Sequence, residues 1–351
     1  EDSIPFDDAI KTVDDVNLAV VGIYDAFKNS ALYSGNLTLL PDLQADFVYG
    51  INGNTNTYGD IWRWKDILAT NTSIEAVYAG LYSVINRCNF LLDRVDAVRK
   101  NTTDDNDLDQ IDQCCGEAYF ARALAYSELV KCFCKAYESD AEAANELGVI
   151  LTRHYQGNEE MKRASLKDSY QFILDDLDRA AELLALDKDY DPATDGALFN
   201  NAIYFNEYTV YALRARVALY MKNWEDAIKY SSKVIDSGYY LLSSCTQNYT
   251  SFTIDSYGGR LGTIFFNYDF STVRPDYVPA EWVINLYDNN DLRVSTFFLT
   301  YQTGYSHGLS WPLLIKYFGN ESFVNENILH VCMPKVLRLS EQYLIRAEAY
   351  V

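Results

Sequence analysis

The sequence predicts a mostly α fold of paired helices, interrupted by long aromatic-rich loop insertions and carrying minor β structure. Three observations predict it. Apolar residues recur at helical spacing over 72–137 and 165–238, capping and stop residues bracket those stretches, and the period vanishes from 31–71 and 239–334.

In chain order, the first insertion spans 31–71, where Gly35, Gly50, Gly53 and Gly59 punctuate polar and aromatic residues. Thr72-Ser-Ile-Glu75 then has the form of a capping box, and Val77, Leu81, Val84, Cys88, Leu91 and Val95 line one face of a helix running to about Val98. Polar residues from Asn101 to Asp109 break that stripe. A second stripe, Cys114, Ala118, Ala121, Ala125 and Leu129, marks a helix from about Leu108 to Tyr137, so the two are expected to form an antiparallel pair. Ser165 and Asp168 make another capping box, opening a helix with Leu166, Tyr170, Ile173, Leu177, Ala180 and Leu184 inward. It ends near Leu186, ahead of an Asp-rich linker from Asp187 to Asp195.

A tighter unit follows: a helix near Glu207 to Met221, a break at Lys222-Asn223, and a helix near Trp224 to Ser237 closed by Gly238. Small residues at Ala212, Ala215, Ala218 and Ala227, with Trp224 at the turn, give this unit a tetratricopeptide-like character, because helices cross closely only where side chains are small. No fixed period runs through the chain, which excludes a simple solenoid. In the second insertion, 239–334, alternating runs such as Thr263 to Tyr268 suggest strand pairs, and a short helix is expected near Ala280 to Asp288. A last helix begins near Leu337 and reaches Val351 without a visible hairpin partner. The whole reads as one domain, with scaffold at about 72–137, 165–238 and 337–351.

Composition narrows the function. The chain has 351 residues, and its 29 basic against 50 acidic side chains leave a net charge of −21, which repels a phosphate backbone and removes nucleic acid as a partner. The same acidity argues against docking on anionic lipid, and charge interrupts every apolar stretch before the roughly 20 residues a spanning helix needs. No basic n-region and apolar h-region open the chain, so any targeting signal is expected to have been removed or to lie outside this sequence. Seven cysteines, an odd number without regular spacing, argue for free thiols; Cys88, Cys114, Cys115, Cys132 and Cys134 read as small core residues. The 29 tyrosines point to surfaces that stack, since the ring offers a flat apolar face beside a polar hydroxyl.

Four stretches, in this order, resemble the SusD/RagB family of Bacteroidetes outer-membrane lipoproteins: Tyr82-Ser-Val-Ile-Asn-Arg-Cys-Asn89, Gly116-Glu-Ala-Tyr-Phe-Ala-Arg-Ala-Leu-Ala-Tyr126, Ala215-Arg-Val-Ala-Leu-Tyr-Met-Lys-Asn-Trp-Glu-Asp-Ala227 and Leu337-Arg-Leu-Ser-Glu-Gln-Tyr-Leu-Ile-Arg-Ala-Glu-Ala-Tyr350. Leu286-Tyr-Asp-Asn-Asn-Asp-Leu-Arg293 is similar to the family's Asp-x-Arg element. The resemblance covers nearly the whole chain from about Thr12. It implies a tetratricopeptide-like scaffold that binds oligosaccharide or another nutrient at the cell surface and pairs with a SusC-like TonB-dependent transporter. Membrane contact would then run only through an N-terminal lipid anchor. Two departures stand out: the lipidated N-terminal cysteine is absent, and the chain stops at a helix beyond which family members continue. Residues of that continuation could supply part of a binding surface.

Within the first insertion, Trp62-Arg63-Trp64 is the leading candidate. Two indoles at i and i+2 of an extended segment point the same way and make a flat platform, with Arg63 nearby for hydroxyls. The competing reading packs one or both beneath the loop. Tyr58 and the amides Asn52 and Asn54, which can donate to one hydroxyl and accept from another, are secondary candidates. In the second insertion Tyr257, Tyr301, Tyr305 and Trp311 are candidates for stacking, against packing or turn roles. Trp224 and Trp282 lie in helical patterns and read as core.

Enzyme chemistry finds little support. The three histidines, His154, His307 and His330, form no HExxH or zinc spacing, and Cys132 and Cys134 at i, i+2 make no redox pair. Gly258-Gly-Arg-Leu-Gly262 lacks the context of a phosphate loop and reads as a turn. Asp187-Lys-Asp-Tyr-Asp191 resembles a calcium loop only until Pro192 and Leu198, which stand where an EF-hand needs Gly and Glu, so a solvated linker is favoured. No cofactor and no metal are expected. A tetratricopeptide-type adaptor, with ligand contacts on concave helix faces, is the alternative from another class, and a polysaccharide hydrolase trails because no carboxylate pair can be singled out among 50 acids.

Overall fold

A computed structural model describes residues 9–33, 35–65, 67–155, 161–186, 204–240, 242, 268–269, 274–288, 290–299, 312–314 and 335–351. The chain opens with helix α1 (Val13–Phe27) and α2 (Asn36–Gln44), then strand β1 (Val48–Gly50) and the one-turn α3 (Gly59–Trp62). The segment 31–71, expected to be loop, therefore holds two helices and a strand. Glycine punctuation hid α2: Leu37, Leu39, Leu40 and Leu43 are buried, and their burial holds a helix around Pro41 despite its missing N–H.

Next come α4 (Thr72–Leu92), α5 (Val95–Asn101) and α6 (Asp105–Phe133). The cap of α4 is Asn71 rather than Thr72, its Oδ1 accepting from the N–H groups of Ser73 and Ile74 at 3.0 and 3.3 Å. The helix expected to reach Val98 breaks at Asp93-Arg94, because the Asp93 carboxylate is drawn aside by His154 Nδ1 and the Tyr155 N–H, each at 2.8 Å. After α7 (Asp140–Ala143), the antiparallel strands β2 (Leu147–Ile150) and β3 (Arg163–Ser165) lead into α8 (Leu166–Leu183), capped as expected by Ser165 through the Asp168 N–H at 3.0 Å. Then follow α9 (Glu207–Tyr220), capped by Asn206, and α10 (Trp224–Asp236), capped by Asn223. The remaining elements are short: β4 (Tyr268–Asp269), β5 (Arg274–Pro275), β6 (Tyr277–Pro279), α11 (Glu281–Ile284), α12 (Leu292–Phe297), β7 (Phe298–Leu299) and β8 (Leu313–Leu314), before α13 (Leu339–Ala349).

These residues form two compact units. The first comprises Glu1–Ala26, Leu81–Leu242 and Lys335–Val351; the second comprises Phe27–Gly80 and Ser243–Pro334.

In the first unit, Tyr82 meets Tyr126, Asn89 meets Arg122 and Arg99 meets Asp112, so one partner ascends in sequence while the other descends. That order is the antiparallel pairing expected from the stripes. Arg122 ties three elements together: it grips Asp176 of α8 with Nε and Nη2 at 2.8 and 2.7 Å and Asn89 of α4 with Nη1 at 2.7 Å. The rings of buried Phe172 and of Tyr119 lie against the Arg122 guanidinium, 5.1 and 5.4 Å from centroid to Cζ. The terminal helix α13 does find a partner: Ile345 packs with Ala215, Ala218 and Ala227 of the α9–α10 hairpin, where small residues permit close approach. Among the cysteines, Cys88, Cys114 and Cys115 are buried as expected, but Cys132 is exposed and Cys134 half-exposed, since both lie where α6 ends. Trp224, expected in the core, is also exposed at its turn.

Candidate functional site

The leading candidates all lie in the second unit, on a frame made by β1 and β6. These strands pair antiparallel with Val48 opposite Pro279, Tyr49 opposite Val278 and Gly50 opposite Tyr277. Backbone bonds extend the ladder at both ends, from Ile51 N to Asp276 O and from Ala280 N to Phe47 O. Buried Asp276 then clamps the tip of the first segment, accepting from both the N–H and the hydroxyl of Thr55. The Tyr277 hydroxyl donates to Thr57 O, and burial, helped by the neighbouring Asp276 charge, pushes its pKa up to about 12.

Trp62 and Trp64 sit on this frame differently from the expectation. The segment is not extended: Trp62 ends α3, Arg63 has φ −82° and ψ 1°, and Trp64 takes a left-handed φ of +52°. The two indoles diverge accordingly. Trp62 donates from Nε1 to Val48 O at 3.2 Å and lies over Gly50, where an added Cβ would come within 3.3 Å of its ring. It also meets Tyr277 edge-on at 6.1 Å. Trp64 donates from Nε1 to Gln44 O at 3.0 Å and leaves 62% of itself in solvent. One indole is a half-buried prop and the other a displayed ring with its polar edge tied down.

The secondary candidates build the same loop. Arg63 stacks over the Trp62 ring and donates from Nη2 to Asn56 Oδ1 at 2.7 Å. Asn54 donates to Ile51 O at 2.6 Å and accepts from Asn56 N–H at 2.7 Å. Tyr58 donates its hydroxyl to Asn36 Oδ1 at 2.9 Å, and burial raises its pKa. Asn52 is exposed at the tip. The structure thus brings Trp62, Arg63, Tyr58 and Asn54 together and sends Trp64 apart toward Gln44. Tyr257, Tyr301, Tyr305 and Trp311 lie outside the described residues.

Backbone strain concentrates here. Asp46, Asn56, Tyr58 and Trp64 have positive φ, and among the described residues Lys222 is the one other non-glycine that does. Each such residue costs of order 1–3 kcal/mol and persists where surrounding contacts impose it, a condition common at ligand clamps.

Two aromatic residues escaped sequence reasoning. Phe47 is 45% exposed and Trp282, expected in the core, is 49% exposed, with ring centroids 6.0 Å apart. The helical pattern around Trp282 misled because α11 is a single turn with no buried residues. No local signal marks Phe47.

A family model described as "Starch-binding associating with outer membrane" matches residues 8–219. No curated protein matches the chain. Among solved structures, a putative sugar binding protein from Bacteroides vulgatus aligns over 97% of this chain and 74% of its own, at 21% identity and a TM-score of 0.75. A SusD superfamily protein from Bacteroides thetaiotaomicron aligns over 96% of this chain and 76% of its own, at 20% identity and a TM-score of 0.73. Another SusD superfamily protein, from Bacteroides fragilis, aligns over 98% and 76%, at 21% identity and a TM-score of 0.69. At these identities the likeness is one of fold.

Proposed function

The chain belongs to the SusD-like family, and from that premise we propose that it binds an oligosaccharide or polysaccharide at the cell surface without transforming it. The observation that carries this reading is the Trp64 indole, held by its bond to Gln44 and displayed to solvent on the strained segment 46–64. A glycan is mostly hydroxyls, whose exchange of water for protein partners nets little, so affinity has to come from sugar C–H faces laid on rings. A ring already fixed by folding loses little freedom when the sugar arrives. Trp62, with Arg63 stacked on its ring, props the segment that leads into Trp64, and Asn52, Asn54 and Tyr58 offer polar groups elsewhere on that segment. The family description supports association with the outer membrane. In the same reading an N-terminal lipid anchor holds the protein there, and the bound glycan passes to a SusC-like TonB-dependent transporter.

Affinity electrophoresis through gels cast with individual polysaccharides tests the proposal, paired with chromatography of the glycan after prolonged incubation. Retardation by at least one polysaccharide, with no shorter products, is expected. Retardation by none contradicts the binding reading. Sugars liberated at enzymic rates, and lost when a carboxylate pair is mutated, contradict the non-catalytic one.

A further inference from the structure

The exposed pair Phe47 and Trp282 has no structural task that accounts for its exposure. Folding that leaves two large rings about half in water forgoes the roughly 1.5–3 kcal/mol that burying a large apolar side chain contributes. Their positions are nevertheless fixed. Phe47 immediately precedes β1, Trp282 lies in the turn that follows β6, and the Ala280 N–H to Phe47 O bond, at 2.9 Å, closes the ladder between them. The rings then lean on one another at 54°. A pair so held presents two ring faces set at an angle, a corner rather than one flat wall.

This corner is close to the displayed indole along a rigid path. Trp64 is tied through Nε1 to Gln44 O, and Phe47 follows Gln44 by three residues, which span at most about 11 Å of fully extended backbone. The actual path is shorter, because the chain doubles back with Phe47 N–H on Asp42 O at 3.2 Å. Asp46 and Glu281, the exposed neighbours of the two rings in sequence, are both acidic. Carboxylates accept hydrogen bonds from sugar hydroxyls and repel carboxylate or sulfate substituents.

We infer that Phe47 and Trp282 form a second stacking station for the same glycan chain, seating a neutral sugar residue a few units along from the one on Trp64. The inference rests on the carbohydrate-binding reading and deepens it: the ligand is an extended chain, neutral where it meets this corner, and its affinity grows with length until both stations are filled. Short oligomers reach one station only. Two linked contacts exceed either alone because the second forms within the complex.

Titration calorimetry with maltotriose and maltoheptaose, the soluble pieces of starch, provides the test on wild type, Trp64→Ala, Phe47→Ala, Trp282→Ala and Trp282→Phe. Heptaose is expected to bind roughly tenfold or more tightly than triose to wild type, the scale of one ring contact. Trp282→Ala and Phe47→Ala should erase most of that gain and leave triose unchanged, Trp282→Phe should restore part of it, and Trp64→Ala should weaken both ligands. Melting temperatures close to wild type are expected, since both rings are half exposed. A heptaose affinity unaltered in Trp282→Ala and Phe47→Ala removes the second station while leaving the carbohydrate reading intact. Wild type that binds neither oligomer, nor the matching cello-, xylo-, manno- and galacto-oligomers, contradicts the carbohydrate reading and the station together. A galacturonate heptamer that gains as much from the corner as a neutral one overturns the neutral assignment.

Discussion

Trp62 and Trp64 are two residues apart, yet truncating them should have opposite signatures. Trp62 packs on Gly50, bonds Val48 O and meets Tyr277, so Trp62→Ala removes a prop. A stability loss of about 2–3 kcal/mol is expected in chemical denaturation, somewhat below the ~3–5 kcal/mol of a fully buried ring. Glu117 offers a second residue-level test. It is buried, accepts from the Tyr24 hydroxyl at 2.6 Å and from Gln113 at 3.1 Å, and burial raises its pKa against the pull of those bonds. Because the folded carboxyl holds its proton more tightly than the unfolded one, its stabilising contribution is present below the unfolded value of about 4.3 and is lost as pH rises through the folded value. Urea titrations from pH 4 to pH 7 should therefore show stability changing less steeply with pH in Glu117→Gln than in wild type. Equal slopes would mean the carboxyl is not perturbed by folding.

At the level of elements, much was legible because helices announce themselves through period and caps. The stripe from Val77 to Leu91, the Ser165 cap and the break at Lys222-Asn223 all appear as expected. What failed did so where tertiary contacts outweigh local pattern. Asp93 ends α4 because His154 and Tyr155 capture it from more than sixty residues away. The helix α2 forms around a proline because four leucines are buried. The tryptophan segment turns because left-handed backbone at Trp64, which no residue type in the sequence advertises, is imposed by the bond to Gln44. The candidate tryptophans could be picked from the sequence, then, but not the way each one faces. Two substitutions test the elements themselves. Asn71→Ala should cost about 1 kcal/mol of stability and Thr72→Ala only a few tenths, since Asn71 caps α4. Ala227→Leu, which inserts bulk among Ala215, Ala218 and Ile345, should cost about 1–3 kcal/mol and loosen α13, seen as faster amide exchange there. Unchanged exchange would mean α13 is held by other contacts.

On the scale of the whole molecule, the acidic surface and the exposed aromatic rings point to one kind of ligand. A net charge of −21 disfavours polyanions, while Phe47, Trp64 and Trp282 offer apolar faces that neutral sugars can stack on. Affinity would then rest on a few rings, and the helices of the first unit would act as scaffold. An adaptor of the tetratricopeptide type would instead place its contacts on helix faces and be indifferent to the second unit's aromatics. The most direct measurement is calorimetry of Trp64→Ala, titrated with the polysaccharide that most retards wild type and melted in parallel. Binding weakened by about 1–3 kcal/mol with a melting temperature within about 2 °C of wild type is expected. Binding left intact would contradict the account, as would a loss of binding matched by a comparable loss of folding stability.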